Sequence, residues 1–270
     1  MSGKLAILGA GNMGCAIAVG IIRSGLLSPG DITLVRRNTE LLSHYRELGC
    51  SISDDSEGAA EKAEAILLCV KPQMMKELFS SIAPFCKNKL VISIAAGIRI
   101  ETIEGALPAA RVVRAMPNTP LTVGQGVTEL CRGSAVSDDE FAFAKSIFNT
   151  AGYTVECSEE QINALTALTS SAVAYFAEVE NAMVSWAMEN GLSGFDRRAL
   201  CDLVSKTAMG TAQLLFETGK EPKALVRAVA SPGGTTERAL DVFAERDLEG
   251  VFYEGMTACL KRAEELSGIK

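Results

Sequence analysis

Close to its amino terminus the chain passes from a short apolar stretch, Lys4–Leu8, through Gly9-Ala10-Gly11-Asn12-Met13-Gly14 into a run of small and aliphatic residues, Cys15–Ser24. A strand, a turn with three glycines at this spacing and a helix form the phosphate-binding unit of a doubly wound α/β sheet. Each glycine has its own task there: Gly9 makes the tight turn, Gly11 lets the backbone approach a pyrophosphate, and Gly14 lets the helix pack on the sheet. Asn12 and Met13 open the helix, whose unpaired N–H groups and positive dipole end favour an anion.

The pattern downstream agrees with that start. Ile32–Val35 reads as a strand, Thr39–Leu48 as a helix, Ala65–Val70 as a buried strand, Gln73–Ile82 as a helix and Leu90–Ile94 as another buried strand. Arg111–Ala115 and Gly126–Leu130 add strands, Asp138–Asn149 a helix, and Tyr153–Glu156 an edge strand. Beyond Cys157 strand signals give way to helical patterns at about 160–190, 196–218, 222–229, 235–244 and 247–267. The expected fold class is α/β, a Rossmann-type doubly wound sheet followed by an all-α domain, with residues 1–157 binding a dinucleotide and 158–270 serving dimerisation and substrate. The helix from Ile162 to Met188 is apolar on most sides, so it is expected to be buried in a bundle or by a second subunit.

Of the 270 residues 48% are hydrophobic and 22% charged, enough for a substantial core, and the net charge of −7 argues against a nucleic-acid surface. No apolar run reaches the roughly 20 residues of a membrane span. The segment Met1-Ser2-Gly3-Lys4 leaves no room for a signal peptide before the first strand, and the eight cysteines show neither C-x-x-C pairs nor metal spacing. Reduced core thiols and a cytoplasmic protein without a metal site are the expectation.

Arg36 and Arg37 follow the second strand, where an acidic residue would bind a free ribose 2′-hydroxyl and basic residues accommodate a 2′-phosphate. They favour NADPH, with NADH as the alternative cofactor, although arginines at a strand end are also commonly solvated surface charge. Val70, Lys71 and Pro72 stand at the carboxyl end of a buried strand, the edge where ligands bind; Lys71 reads equally as a cofactor or substrate contact and as a solvated lysine. Asn118, inside Met116-Pro117-Asn118-Thr119-Pro120, is a polar group in a stiff turn near the same rim, suited to a nicotinamide amide or simply to holding the turn. The single histidine, His44, lies in the helix after the second strand and offers no base for a hydroxyl proton; reduction of a C=N bond does without one.

A second anion-binding turn is visible at Ser231-Pro232-Gly233-Gly234-Thr235-Thr236, just before a helical pattern. Its glycines permit close approach, and its hydroxyls offer donors to a carboxylate; an ordinary helix cap is the alternative. Together with the glycine loop, Val70-Lys71-Pro72-Gln73 and Met116–Pro120, this turn makes the chain resemble the pyrroline-5-carboxylate reductase family over nearly its whole length. The resemblance implies reduction of the cyclic imino acid 1-pyrroline-5-carboxylate to L-proline by a nicotinamide cofactor, and a homodimer that assembles further into a decamer. It also implies that Ser231, Gly233, Gly234 and Thr235 hold the substrate carboxylate and that Thr236 stands at the ring nitrogen, with Ser231 and Thr236 nearest the chemistry. Two departures from the family pattern are evident: Thr169-Ser170-Ser171-Ala172-Val173-Ala174-Tyr175 replaces Ser-Gly-Ser-Gly-Pro-Ala-Tyr, and Asn163 stands where aspartate is common. Loss of both glycines and the proline predicts a more regular start to the long helix. The altered segment keeps open a ring-substituted or related cyclic imino acid as substrate, or a non-catalytic NADP(H)-binding relative.

Overall fold

The computed structural model describes residues 3–192 and 194–267. Strand β1 (Leu5–Leu8) is buried along its whole length and sends alternate side chains to opposite faces: Leu5 and Ile7 pack in one apolar cluster, Ala6 and Leu8 in another. β4 (Ala65–Leu68) divides in the same way, with Ala65 and Leu67 on one face and Ile66 and Leu68 on the other. A strand covered on both faces must be apolar throughout, which is why these segments read as continuous runs.

The sheet contains β1, β2 (Ile32–Val35), β3 (Ser51–Ser53), β4, β5 (Leu90–Ser93), β6 (Arg111–Pro117), β7 (Gly126–Arg132) and β8 (Gly152–Glu156), in the order β3-β2-β1-β4-β5-β6-β7-β8. Only the β6–β7 pair is antiparallel. The strand order reverses at β1 and β4, so the loops after these two strands flank the crevice in which such sheets bind ligands. One face is covered by α1 (Asn12–Ser24) and α6 (Asp138–Asn149), through Ile17, Ile21, Phe141 and Phe148. The other is covered by α3 (Ser56–Lys62), α4 (Met75–Ile82) and α5 (Ile100–Ala106), through Ala60, Phe79, Ile82 and Ile103. A reciprocal cap between Ser137 and Glu140 starts α6.

Several elements differ from the sequence expectation. The segment 39–48 is a 3-10 turn, Thr39–Leu42, followed by α2 (Ser43–Glu47), because the Asn38 side chain accepts the Glu40 N–H at 3.1 Å and tightens the chain there. β3, α3 and α5 lie in stretches too short or too polar to show a period; α3 is started by Asp55, whose carboxylate accepts the Gly58 N–H at 3.0 Å.

The described residues fall into two compact units: 3–171 with 259–267, and Ala172–Ala258. The sequence reading places its boundary after Cys157, whereas α7 (Ile162–Leu165) and the turn that follows belong with the sheet. Asn163, buried, donates to the Ser267 hydroxyl at 2.9 Å, and Cys259 lies 3.2 Å from the Ser171 hydroxyl, which ties the end of α12 (Leu248–Ser267) into the first unit.

The altered segment is not the regular helix start that its composition predicts. Thr166–Ser170 form a π turn, with the Ser171 N–H donating to the Thr166 carbonyl at 2.9 Å, before α8 (Ala172–Glu189) begins. Threonine hydroxyls explain it. Thr166 and Thr169 lie 2.7 and 2.8 Å from the carbonyls four residues back, which bends a helix, and the Thr169 hydroxyl is also 2.6 Å from the buried Glu129 carboxyl on β7.

In the second unit α8 packs against α9 (Arg197–Thr218) through a small cluster of Val184, Ala187 and Leu200, and α10 (Pro222–Val229) and α11 (Thr235–Glu245) complete it. The long helix is not buried all round within one chain: Phe176 is 71% exposed and Trp186 64%, while on α9 Phe216 is 86% exposed. So many large apolar side chains on one helical layer mark an interaction surface.

Candidate dinucleotide and substrate sites

In the first unit the turn after β1 is built on the neighbouring strand ends. Gly9 and Ala10 both donate to the Val35 carbonyl, at 3.0 and 2.9 Å, and Gly9 has φ 93°. A Cβ on Gly9 would lie 2.7 Å from the Val70 nitrogen, so the loops after β1 and β4 pack at a distance that only glycine permits. At Gly14 a Cβ would meet Ile7 at 3.1 Å and the Gly9 carbonyl at 3.3 Å, the close approach of helix to sheet. Gly11 is different. Its nearest neighbour to a Cβ would be the Gly9 oxygen at 3.9 Å, so nothing in the protein demands glycine there. The open side of Gly11, the start of α1 with no side-chain cap, and the absence of an acidic residue from its first turn together suit a pyrophosphate.

Arg36 is half-buried and donates to the Ala10 carbonyl at 3.4 Å, which lays its guanidinium beside the glycine turn; Arg37 is exposed, 3.9 Å from the Met74 sulfur. Lys71 is exposed at the start of the 3-10 turn Pro72–Met74, and Val70 is half-buried beside Gly9. Gly9, Gly11, Asn12, Met13, Gly14, Arg36, Arg37, Val70, Lys71 and Pro72 thus gather at one end of the sheet, around β1, β2 and β4. Asn118 follows β6 and is buried, its carbonyl accepting the Val127 N–H at 2.8 Å and its amide donating to the Thr169 carbonyl at 3.3 Å. The side chain is committed to holding the 118–126 turn and the π turn. His44 is exposed on α2, edge-on to Tyr45.

In the second unit, residues 231–236 make a tight turn: Gly234 donates to the Ser231 carbonyl at 2.9 Å, and Gly233 has φ 72°. Gly234 is the N-cap of α11 and lends no side chain, so Thr235 and Thr236 sit at the first two helical positions. No hydrogen bond involves the hydroxyls of Ser231, Thr235 or Thr236 among the described residues, which leaves three donors at a helix start. Sequence reasoning overlooked Glu237, whose carboxylate accepts the Gly233 N–H at 2.7 Å. An acidic residue three positions after a helix cap is the signal that would have revealed it.

The family model for pyrroline-5-carboxylate reductase dimerisation matches residues 159–266, and one for coenzyme F420-dependent NADP oxidoreductases matches residues 4–97. Pyrroline-5-carboxylate reductases of Corynebacterium melassecola and Escherichia coli K12 are 34% and 33% identical to the chain, over 97% and 99% of its length and 98% and 99% of theirs. The chain belongs to the pyrroline-5-carboxylate reductase family. The solved structure of the Coxiella burnetii pyrroline-5-carboxylate reductase superposes with a TM-score of 0.91 at 33% identity, covering 99% of both chains. A Plasmodium falciparum pyrroline carboxylate reductase solved with NADP bound shares the fold at 24% identity, with a TM-score of 0.85 and 98% of both chains covered.

Burial raises the Glu129 pKa, with the Thr169 hydrogen bond working against it, and the second Glu129 oxygen is buried without a hydrogen-bond partner among the described residues. The exposed apolar faces of α8 and α9 lie within the segment matched by the dimerisation model, so this layer serves oligomerisation.

Proposed function

We propose that the chain reduces 1-pyrroline-5-carboxylate to L-proline, with NADPH as reductant and NADH as the weaker alternative. The observation that carries this reading is a pair of donor sets left unspent by the protein: the open Gly11 turn at the start of α1, and the three hydroxyls of the 231–236 turn. One fits a pyrophosphate and the other a small carboxylate.

When bound, NADPH supplies the hydride that reduces the imine carbon. The residues of the chain bind, orient and protonate. The N–H groups around Gly11, Asn12 and Met13 take the pyrophosphate, Arg36 and Arg37 the 2′-phosphate, and Gly9 and Gly14 keep the turn on the sheet. Val70, Lys71, Pro72 and the turn held by Asn118 form the rim on the nicotinamide side. Ser231, Gly233, Gly234 and Thr235 hold the carboxylate, and the Thr236 hydroxyl carries the proton at the ring nitrogen. An imine nitrogen is basic enough to need no histidine, which fits the distance in sequence of His44 from every rim residue. Orientation of two bound reactants supplies most of the acceleration. We assign dinucleotide binding to 1–157 and dimerisation with substrate binding to 158–270, and we place the protein in the cytoplasm as a homodimer that assembles into a decamer.

The direct experiment follows NADPH absorbance with purified protein and 1-pyrroline-5-carboxylate, and identifies proline as product. Turnover is the expected result. NADPH binding without turnover would redirect the reading to a ring-substituted or related cyclic imino acid, or to a silent relative.

Two substitutions examine the binding assignments. Replacing Arg36 and Arg37 together by alanine should weaken NADPH about tenfold or more and leave NADH nearly unchanged, since a hydrogen bond to a charged group contributes about 1.5–3 kcal/mol. Equal losses for both cofactors would remove the 2′-phosphate assignment. Glu237→Gln keeps an acceptor for the Gly233 N–H but removes a negative charge from a helix start that should hold a carboxylate. A charge in such a position is worth about 0.3–1 kcal/mol, so KM for the imino acid should fall by up to about fivefold at constant kcat. An unchanged KM would mean that Glu237 is remote from the bound carboxylate.

A further inference from the structure

Two cysteines that the reductase reading does not use face each other at the edge of the sheet. Cys131 is near the end of β7, Cys157 immediately follows β8, and the strands run parallel with Leu130 opposite Glu156. The Cys157 N–H continues the ladder by donating to the Leu130 carbonyl at 3.0 Å, and the two sulfurs lie 3.4 Å apart. Cys131 is 1% exposed, whereas Cys157 is partly exposed at the strand end. On the other side of Cys131, Arg114 of β6 is its direct cross-strand neighbour; its guanidinium is 3% exposed and bound to Glu159 at 2.8 Å.

We propose that Cys131 and Cys157 are a two-electron oxidation site, closing to a reversible intrachain disulfide when hydrogen peroxide reaches Cys157. The Cys157 thiolate attacks a peroxide oxygen; an S–O bond forms, the O–O bond breaks, and the departing hydroxide takes a proton to leave as water. Cys131 then attacks the Cys157 sulfur. The S–S bond forms as the S–O bond breaks, and the Cys131 proton leaves with the hydroxyl as a second water. Two thiols and one peroxide thus yield one disulfide and two waters.

The surroundings divide the roles. The hydrogen bond with Cys131 holds the Cys157 thiol below its ordinary value, helped by Arg114 and opposed by burial and by Glu129 and Glu156. The same hydrogen bond, together with burial and Glu159, raises Cys131 against a lowering pull from Arg114, so Cys131 gives up its proton only as it attacks, to the hydroxyl leaving Cys157. The more exposed sulfur is therefore the more acidic, which is the arrangement of a peroxide-reactive cysteine. Closing the gap to the roughly 2.05 Å of a disulfide calls for rotation of the Cys157 side chain, which lies beyond the last residue of β8. Cys15, Cys50, Cys69 and Cys86 are instead raised by burial.

The test uses the full chain, reduced and then treated with hydrogen peroxide, with remaining thiols alkylated and peptides mapped by mass. The expected product links the peptides of Cys131 and Cys157, lighter by two hydrogens, with the other six cysteines alkylated and the link reversed by dithiothreitol. In Cys131→Ser, oxidation should stop at a Cys157 sulfenic acid that dimedone captures; in Cys157→Ser, Cys131 should remain alkylatable. Recovery of both wild-type cysteines unlinked, or pairing of either with a different cysteine, would overturn the proposal. So would oxidation of Cys131 in Cys157→Ser at the wild-type rate.

Discussion

Gly11→Ala is expected to weaken NADPH binding by about tenfold to a hundredfold while leaving the melting temperature of the unliganded chain unchanged. A Cβ at Gly11 meets nothing nearer than the Gly9 oxygen at 3.9 Å, and the backbone there, φ −88° and ψ −160°, is one that alanine can adopt. The methyl group would instead occupy the volume through which a pyrophosphate approaches the start of α1. Forcing a methylene-sized group into a filled contact costs about 1–3 kcal/mol, which converts to the stated loss of affinity.

Gly9→Ala makes the contrasting control. At φ 93°, with its Cβ 2.7 Å from the Val70 nitrogen and 2.8 Å from the Cys69 carbonyl carbon, this variant should lower the melting temperature whether or not cofactor is present. Calorimetric titration and thermal denaturation of the two variants separate a glycine required by the fold from one required by a ligand. Wild-type affinity in Gly11→Ala would mean that the dinucleotide does not cross this turn.

The second large effect is expected at Thr236. Thr236→Ala should lower kcat for imine reduction by about a hundredfold or more while the Kd for NADPH stays the same, because a positioned proton donor contributes roughly 10²–10⁴-fold. Thr236 is half-buried, and its hydroxyl makes no hydrogen bond among the described residues, so removing it disturbs no internal contact. Thr236→Ser should restore most of the rate. Unaltered turnover in the alanine variant would assign the ring-nitrogen proton to water.

Much of the fold was legible because its signals are local. A strand buried on both faces has to be apolar at every position, so Lys4–Leu8, Ala65–Val70 and Leu90–Ile94 announced themselves, as did Asp138–Asn149, whose ends match the helix found. The glycine loop and the 231–236 turn were equally visible, since backbone freedom at a helix start is written in consecutive residues. The short pieces were harder to see. Ser51–Ser53 has too few residues to display alternation, and the division of 39–48 depends on one Asn38 hydrogen bond that competes with helix.

The functional details that escaped sequence reasoning all join residues distant in the chain, or depend on which atoms remain free once the chain has closed. Asn118 could be placed at the rim from its position after a strand, but that its amide is spent on Val127 and Thr169 follows from where β7 and the π turn come to lie. The loss of two glycines and a proline pointed to a smoother helix at 169–175; Glu129, forty residues earlier, supplies the partner that helps hold Thr169 in a π turn instead. Likewise the apolar residues of 162–188 were visible as a single run, but the π turn divides it, and which side chains of α8 stay exposed depends on the narrow contact between α8 and α9.

The sequence by itself determined the α/β class, the glycine turn after β1, the arginine pair after β2 and the glycine-rich turn at 231–236, because each is encoded by the conformational limits and periodicity of neighbouring residues. Only the tertiary structure decided the π turn, the commitment of Asn118 and the meeting of Cys131 with Cys157. All three join elements that are separate in the chain. Their geometry follows from how strands and helices pack, which no local pattern of residues specifies.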